Sequence, residues 1–421
     1  MKDELTQLYS LRQRLRHLGE PRVAPSTPYV QACQPSLARL QALVGGELLG
    51  NRPGDEACLI KRYTFALDHR HGGHILAEAL EAAPDTLSLL ARDPDLGRTS
   101  LAEAAFLDIE TTGLAGGTGT LVFLVGIGKF TADSFEITQL FLPGPDEEHS
   151  FLQALKEELL QRPFLVSYNG KCFDAPMIQT RFLLKRQRLS LNAWPHLDLL
   201  YSTRRLYRTR VSDCSLSTVE SQVLRVQRSQ EDIPGALIPG IYFDYLQSGK
   251  VEPLTRVFYH NLVDILSLAA LSGAITGTIE GRHITHPWDE LGAGRILESA
   301  GRLEEAVAAY RRAADGSRGR HRYWALERLG FVLKRAGEYG QAEEVWRLLI
   351  DAKADASGSA HIELAKCLEH HKRDYAGAVE VVRAALELPA AQESSLREAL
   401  KYRLARLEGR LARASRKQGA V

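Results

Sequence analysis

From Ala104 the chain runs through three apolar, β-prone segments before any helix intervenes: AAFLDIE (104–110), LVFLVGIGKF (121–130) and FEITQLFL (135–142). Only afterwards do helices and strands alternate. EEHSFLQALKEELLQR reads as an amphipathic helix, FLVSYN as a fourth strand and APMIQTRFLLKRQR as a helix. HLDLLYSTRRLY follows as a strand-to-helix passage, and in SLSTVESQVL Ser217 stands three residues before Glu220, a capping-box signature. A last helix runs from about Leu254 to Ile275. Strands in hairpin order and then alternating with helices specify an α/β domain built on a mixed, five-stranded sheet with flanking helices.

With 421 residues there is room for two or three such units. Residues 1–100 mix short pieces with Pro and Gly, carry no readable motif, and are expected to form an N-terminal extension packed on residues 101–280. Their first stretch is amphipathic, with Leu5, Leu8, Leu11, Leu15 and Leu18 at helical spacing. Residues 285–421 are repetitive: GRLEEA (301–306), GEYGQA (337–342) and RDYAGA (373–378) recur every 36 residues, and Tyr310 and Trp346 follow the first two alanines by four. Small residues at helix crossings with a bulky residue one turn on resemble tetratricopeptide repeats, and three copies suffice for a stack. This predicts an all-α repeat domain, with a plain helical bundle as the alternative.

Composition excludes several classes. An apolar content of 44% with 25% charged residues is that of a globular chain, and no apolar run reaches the ~20 residues of a membrane span. The N-terminus lacks a secretion signal, and the five cysteines are dispersed with no C-x-x-C pair. A cytoplasmic protein with no membrane association is the expectation.

Asp108 and Glu110 are two apart on a strand and therefore share a face. Like charges so placed repel unless cations lie between them, and a pair of divalent ions meets that need. The surrounding FLDIETTGL (106–114) resembles the first motif of the DEDD 3′→5′ exonucleases. SYNGKCFDAPMI, with Asn169, Phe173 and Asp174, resembles the second, and His260-Asn-Leu-Val-Asp264 the third. Order and spacing agree with that superfamily. The turn at 116–119, HLDLL, DIPG and HNLVDILSL are together similar to the bacterial YprB-like group, whose helical repeats trail an RNase H-like domain. The resemblance implies a two-metal 3′→5′ exonuclease acting on a single-stranded 3′ end. It favours DNA over RNA, in a repair context beside a helicase or other repair protein that the repeat domain recruits. An exoribonuclease, or an inactive scaffold on the same fold, are the alternatives. Asp108 would bridge two ions, Glu110 and Asp264 would complete the water-activating site, and Asp174 would serve the second ion. Oxygen ligands suit Mg²⁺ or Mn²⁺.

The superfamily divides by a His five residues before the last Asp or a Tyr four before it. Here Tyr259 and His260 exchange those places. Four helical residues turn about 400° and bring His260 over Asp264, whereas five carry Tyr259 away. His260 is therefore the candidate base, its ordinary pKa suiting proton abstraction near neutrality. A capping or core histidine is the alternative.

For substrate, the resemblance implies contacts from Thr111, Thr112 and Leu114, with turn packing as the alternative. Asn169 and Lys171 are further candidates, against a cap and a solvated lysine. Residues 161–230 hold 12 Lys and Arg against 4 Asp and Glu in a chain of net charge +1. Arg204 and Arg205, with Tyr201 and Tyr207 nearby, suit phosphate attraction and base stacking. The basic KYRLARLEGRLARASRK near the C-terminus fits either nucleic-acid contact or a solvated capping helix. HRHGGH (69–74) offers three histidines for zinc but lacks a completing Cys or carboxylate. The glycines at 113–128 do not form a phosphate-binding G-x-x-x-x-G-K-[ST] loop and are expected to shape a hairpin.

Overall fold

The computed structural model describes residues 33–49, 58–113, 119–283, 286–392 and 394–418. The leucine-patterned start (5–18) and Leu114 lie outside the described residues.

The main sheet has seven strands among the described residues rather than five. They are β1 (Glu47–Leu49), β2 (Cys58–Ala66), β5 (Ala104–Thr111), β6 (Val122–Phe130), β7 (Ser134–Phe141), β8 (Phe164–Ser167) and β9 (His196–Asp198), in the order β1-β2-β7-β6-β5-β8-β9. β1 to β5 pair antiparallel through this order, and β8 and β9 add parallel to β5. The two extra strands come from before residue 101. β2 alternates buried or half-buried with exposed residues along Lys61–Ala66 and pairs with β7 from Leu59↔Phe141 to Ala66↔Ser134. β3 (Arg70–His71) and β4 (His74–Ile75) form a separate two-stranded ribbon from the HRHGGH segment.

Helices α1 (Cys33–Val44), α2 (Pro84–Ala91), α3 (Glu148–Leu159), α4 (Asp174–Leu184), α5 (Leu199–Tyr207), α6 (Leu216–Val219), α7 (Ile238–Ser248) and α8 (Leu254–Ile279) surround the sheet. One face packs Leu107, Ile109, Phe123, Phe141 and Phe151. The other packs Phe106, Phe130, Phe135 and Phe164 against α8. α8 is apolar along nearly its whole length and long enough to cross a membrane, but its most apolar window is 94% buried inside the protein.

Six helices continue this second core: α9 (Pro287–Ser299), α10 (Leu303–Gly316), α11 (Gly319–Arg335), α12 (Tyr339–Asp351), α13 (Ser359–Cys367) and α14 (Tyr375–Leu386). Each packs on the next, and α15 (Ser394–Gln418) closes the row. α9 lies so close to α5 that a Cβ on Gly292 would stand 2.4 Å from the Leu206 carbonyl oxygen. The 36-residue recurrence has a packing cause. A Cβ on Gly294 would meet Tyr310 Cε1 at 2.5 Å, and one on Gly330, 36 positions on, would meet Trp346 Nε1 at 2.4 Å. Each glycine is a hole for the aromatic knob of the next helix, and Ala306, Ala342 and Ala378 are fully buried.

Trp346 is fully buried, so Trp346→Ala opens a large cavity in this row. Denaturant unfolding followed by circular dichroism should show a loss of about 3–5 kcal/mol.

Candidate metal centre

The site forms where α8 crosses β5 and β6. Asp108 pairs across the sheet with Gly126 and Phe106 with Gly128, both glycines in the middle of β6 rather than in the hairpin. Their lack of side chains sets the helix–sheet distance: a Cβ on Gly126 would lie 2.3 Å from Asn261 Oδ1, and one on Gly128 2.6 Å from Ile265 Cγ2. At that separation the fully buried Asn261 donates from Nδ2 to Asp108 Oδ2 at 2.8 Å. Its Oδ1 accepts from Gln139 Nε2 at 2.9 Å, and the same Nε2 reaches the Phe258 carbonyl at 2.8 Å. One oxygen of Asp108 is thereby oriented by a buried amide.

Asp174 opens α4, where negative charge is favoured by the helix N-terminus. It is buried, and its carboxylate accepts from the backbone N–H groups of Ile109 and of Asp174 itself. The loop before it is held by Asp198, whose oxygens accept from Asn169 N at 2.8 Å, Lys171 N at 3.1 Å and Leu200 N at 3.1 Å. Gly170 is forced, because a Cβ there would meet Ser167 Oγ at 2.3 Å and Asp174 Oδ2 at 3.3 Å.

α8 begins at Leu254, so residue 260 is helical and the i,i+4 geometry applies. His260 Nε2 lies 3.5 Å from Asp264 Oδ2, whereas the Tyr259 hydroxyl turns to the backbone N–H of Ser229. His260 Nδ1 stands 2.8 Å from Asp232 Oδ1 and 3.1 Å from Arg228 Nη1. The Asp232 carboxylate only accepts, so in the Nδ1-protonated tautomer the ring donates to it and leaves Nε2 unprotonated on the side of Asp264. Glu110, His260 and Asp264 each bring one ligand atom within 4.8 Å of the others.

Burial and the charges of Asp264, Glu110 and Asp174 hold the Asp108 carboxyl well above the usual carboxylate range. Burial, Asp264 and Asp174 do the same to Glu110, opposed by Arg228. Burial pushes Asp174 up to about 7, against the pull of its two backbone donors. Carboxylates so crowded fit divalent cations.

The other sequence candidates scatter. Thr111 Oγ1 donates to the Gly113 carbonyl, and Thr112 Oγ1 accepts from Leu121 N, so both hydroxyls serve the turn. Asn169 is exposed with φ +66°, and Lys171 lines a groove of about 520 Å³ with Trp194 and His196. Arg204 and Arg208 line another, of about 870 Å³, with Tyr168 and Asn169. Arg205 points elsewhere, donating to Ser299 Oγ of α9 at 3.1 Å. The basic stretch is divided: Arg162 caps the Ala102 and Phe130 carbonyls, Arg181 and Lys185 hold the buried Glu148, and Arg210 pairs with Asp289. The helix at 216 is capped by Ser215, not Ser217, and Glu220 turns inward. In HRHGGH the histidines part, His71 to Ser267 Oγ and His74 to Glu78. Asn261, Asp198 and Arg228 were not singled out by sequence, and Glu220 was read there only as part of a helix cap. Only Asn261 carried a signal, lying three residues before Asp264 on the same helix.

The sequence pattern of the RNase_H superfamily matches residues 105–276. The uncharacterized protein YprB of Bacillus subtilis (strain 168) is 32% identical over 375 residues, covering 86% of this chain and 89% of that protein. Among solved structures, the family B DNA polymerase of the archaeon Pyrobaculum calidifontis is similar at 20% identity and a TM-score of 0.31. That match covers 49% of this chain and 28% of the polymerase, so the chain spans little more than a quarter of it.

A carboxyl whose folded pKa is raised binds its proton more tightly folded than unfolded. Its contribution to stability therefore falls as pH rises from the ordinary value near 4 through the folded value. For Asp174 that window is from about 4 to about 7. Metal-free protein should melt several degrees lower at pH 8 than at pH 5.5. Mn²⁺ should restore the loss at pH 8 and act less at pH 5.5, where protons compete for the ligands. A melting temperature that EDTA and pH leave unmoved would count against a shared ion site.

Proposed function

We propose, on the premise that this chain belongs to the family of Bacillus subtilis YprB and carries an RNase H-like nuclease domain, that it is a DEDD-type 3′→5′ exonuclease acting on single-stranded 3′ ends. The observation that supports this reading is the convergence of Asp108, Glu110, Asp174 and Asp264 with His260 at one crossing of α8 over β5. DNA is the favoured substrate, through the family resemblance.

Asp108, Glu110, Asp174 and Asp264 would hold two divalent ions, which supply an activated water and stabilise charge on the scissile phosphate. Asp108, with Oδ2 fixed by Asn261, would serve both ions. His260, its Nδ1 against Asp232, would use Nε2 to accept a proton from the attacking water. Arg204 and Arg208, exposed beside Asn169, attract the phosphates of the strand entering the site. The helical row from α9 to α15 is a tetratricopeptide-like stack that recruits a helicase or other repair protein.

Purified protein incubated with 5′-labelled DNA and RNA strands in Mg²⁺, Mn²⁺ or EDTA tests the reading. A ladder of 3′-shortened DNA that EDTA abolishes is the expected result. Shortening of RNA alone would make the chain an exoribonuclease, and no shortening of either would leave a scaffold. Asp108→Asn should abolish turnover. His260→Ala should keep Mn²⁺ binding while kcat drops by about 10²–10⁴, and an unchanged kcat would remove it as the base. Arg204→Ala with Arg208→Ala should weaken single-strand affinity and flatten its salt dependence by about one to two counterions. A salt slope identical to wild type would clear the groove of any such role.

A further inference from the structure

Arg228 stands at the centre of the site's charges, although nothing in its sequence surroundings marks it. Its side chain is 13% exposed and all three nitrogens are engaged. Nε donates to Glu220 Oε2 and Nη2 to Glu220 Oε1, each at 2.7 Å, a bidentate fork. Nη2 also donates to Asp264 Oδ1. Nη1 faces Asp232 at 3.4 Å and His260 Nδ1 at 3.1 Å.

Glu220 is itself locked. It is buried, and Ser267 Oγ donates to its Oε1 at 2.6 Å. That hydroxyl lies 2.7 Å from Nε2 of the buried His71 and accepts from it, because its own proton goes to Glu220. Burial pushes the His71 imidazole down to about 4, so it is a neutral donor here. Glu220 opens a single π-turn (Glu220–Leu224), whose Leu224 carbonyl accepts from Gly73 N at 2.7 Å. A Cβ on Gly72 (φ +64°) would stand 2.2 Å from that same carbonyl oxygen. The HRHGGH ribbon thus clamps the turn that carries Glu220.

We propose that Arg228 is a positioning residue for Asp264, aiming that carboxylate at the ion site and held there by Glu220. The proposal rests on the reading of the site as a metal centre. The fork to Glu220 makes a pair of no net charge, so Arg228 repels an incoming ion little. Its Nη2 occupies Oδ1 and leaves Oδ2 on the side of His260 Nε2. A carboxylate with one oxygen tethered loses less freedom on binding an ion, and such outer partners are worth about 10–100-fold in metal affinity. Lysine cannot replace it, since one ammonium cannot span Glu220, Asp264 and Asp232 in the fixed plane that a guanidinium provides.

Mn²⁺ titration of the full chain, by the electron paramagnetic signal of free Mn²⁺, reads the effect without nuclease activity. Arg228→Met and Arg228→Lys should each weaken Mn²⁺ binding by about 10–100-fold. Because Arg228→Met strands a buried carboxylate, Arg228→Met with Glu220→Gln supplies a neutral pair of similar size, expected to melt as wild type and to bind Mn²⁺ as weakly. Glu220→Gln alone should fall between. A double variant that melts as wild type and binds Mn²⁺ equally or more tightly overturns the proposal while the metal centre stands. A wild-type chain that binds no Mn²⁺ overturns both.

Discussion

Much of this molecule follows from how closely α8 lies on β6. Glycine at 126 and 128 removes two side chains from the sheet surface, and the helix settles into the space. An ordinary helix–sheet separation would leave Asn261 short of Asp108, and Asp264 and His260 remote from Glu110. The same descent buries almost all of α8 past Asp264, which is why its sequence is so uniformly apolar. A polar cluster at one end of a helix is tolerable only because the rest of that helix is anchored in the core.

That cluster is electrostatically expensive. Carboxylates from three elements are crowded together, and burial and mutual repulsion raise the proton affinity of Asp108, Glu110 and Asp174. The protein's own answer is local and partial. Asn261 satisfies one oxygen of Asp108, backbone N–H groups reach Asp174, and the Arg228 guanidinium faces Asp264. The remaining charge defines the kind of ligand such a site is suited to.

The nuclease-like domain and the helical row are not separated by a gap in packing. α9 abuts α5 through Gly292, and one apolar cluster runs from Phe106 to Leu407. Arg205 and Arg210, which lie in the basic stretch, spend their donors on this junction, on Ser299 and Asp289. Counting charges along the chain therefore overstates the surface offered to a nucleic acid. Arg204 and Arg208, at the C-terminal end of α5, remain exposed in the groove.

Sequence by itself determined the mixed α/β order and the placing of Asp108 and Glu110 on one strand face. It also determined the i,i+4 relation of His260 to Asp264. All of these follow from the periods of strand and helix, which are local. The 36-residue period that carries Ala306, Ala342 and Ala378, with Tyr310 and Trp346 after the first two, was likewise legible, whereas the glycines those aromatics pack against were not. Only the tertiary structure decided what depends on chain segments far apart. It added β1 and β2 to the sheet, because edge pairing with β7 leaves no mark in β2 beyond ordinary alternation. It took Glu220 away from a helix cap and gave it to Arg228, eight residues on but meeting across a loop. It brought His71 to Ser267, nearly two hundred residues along the chain. Hydrogen-bond partners of buried charges are chosen by proximity in space, and no periodicity encodes that.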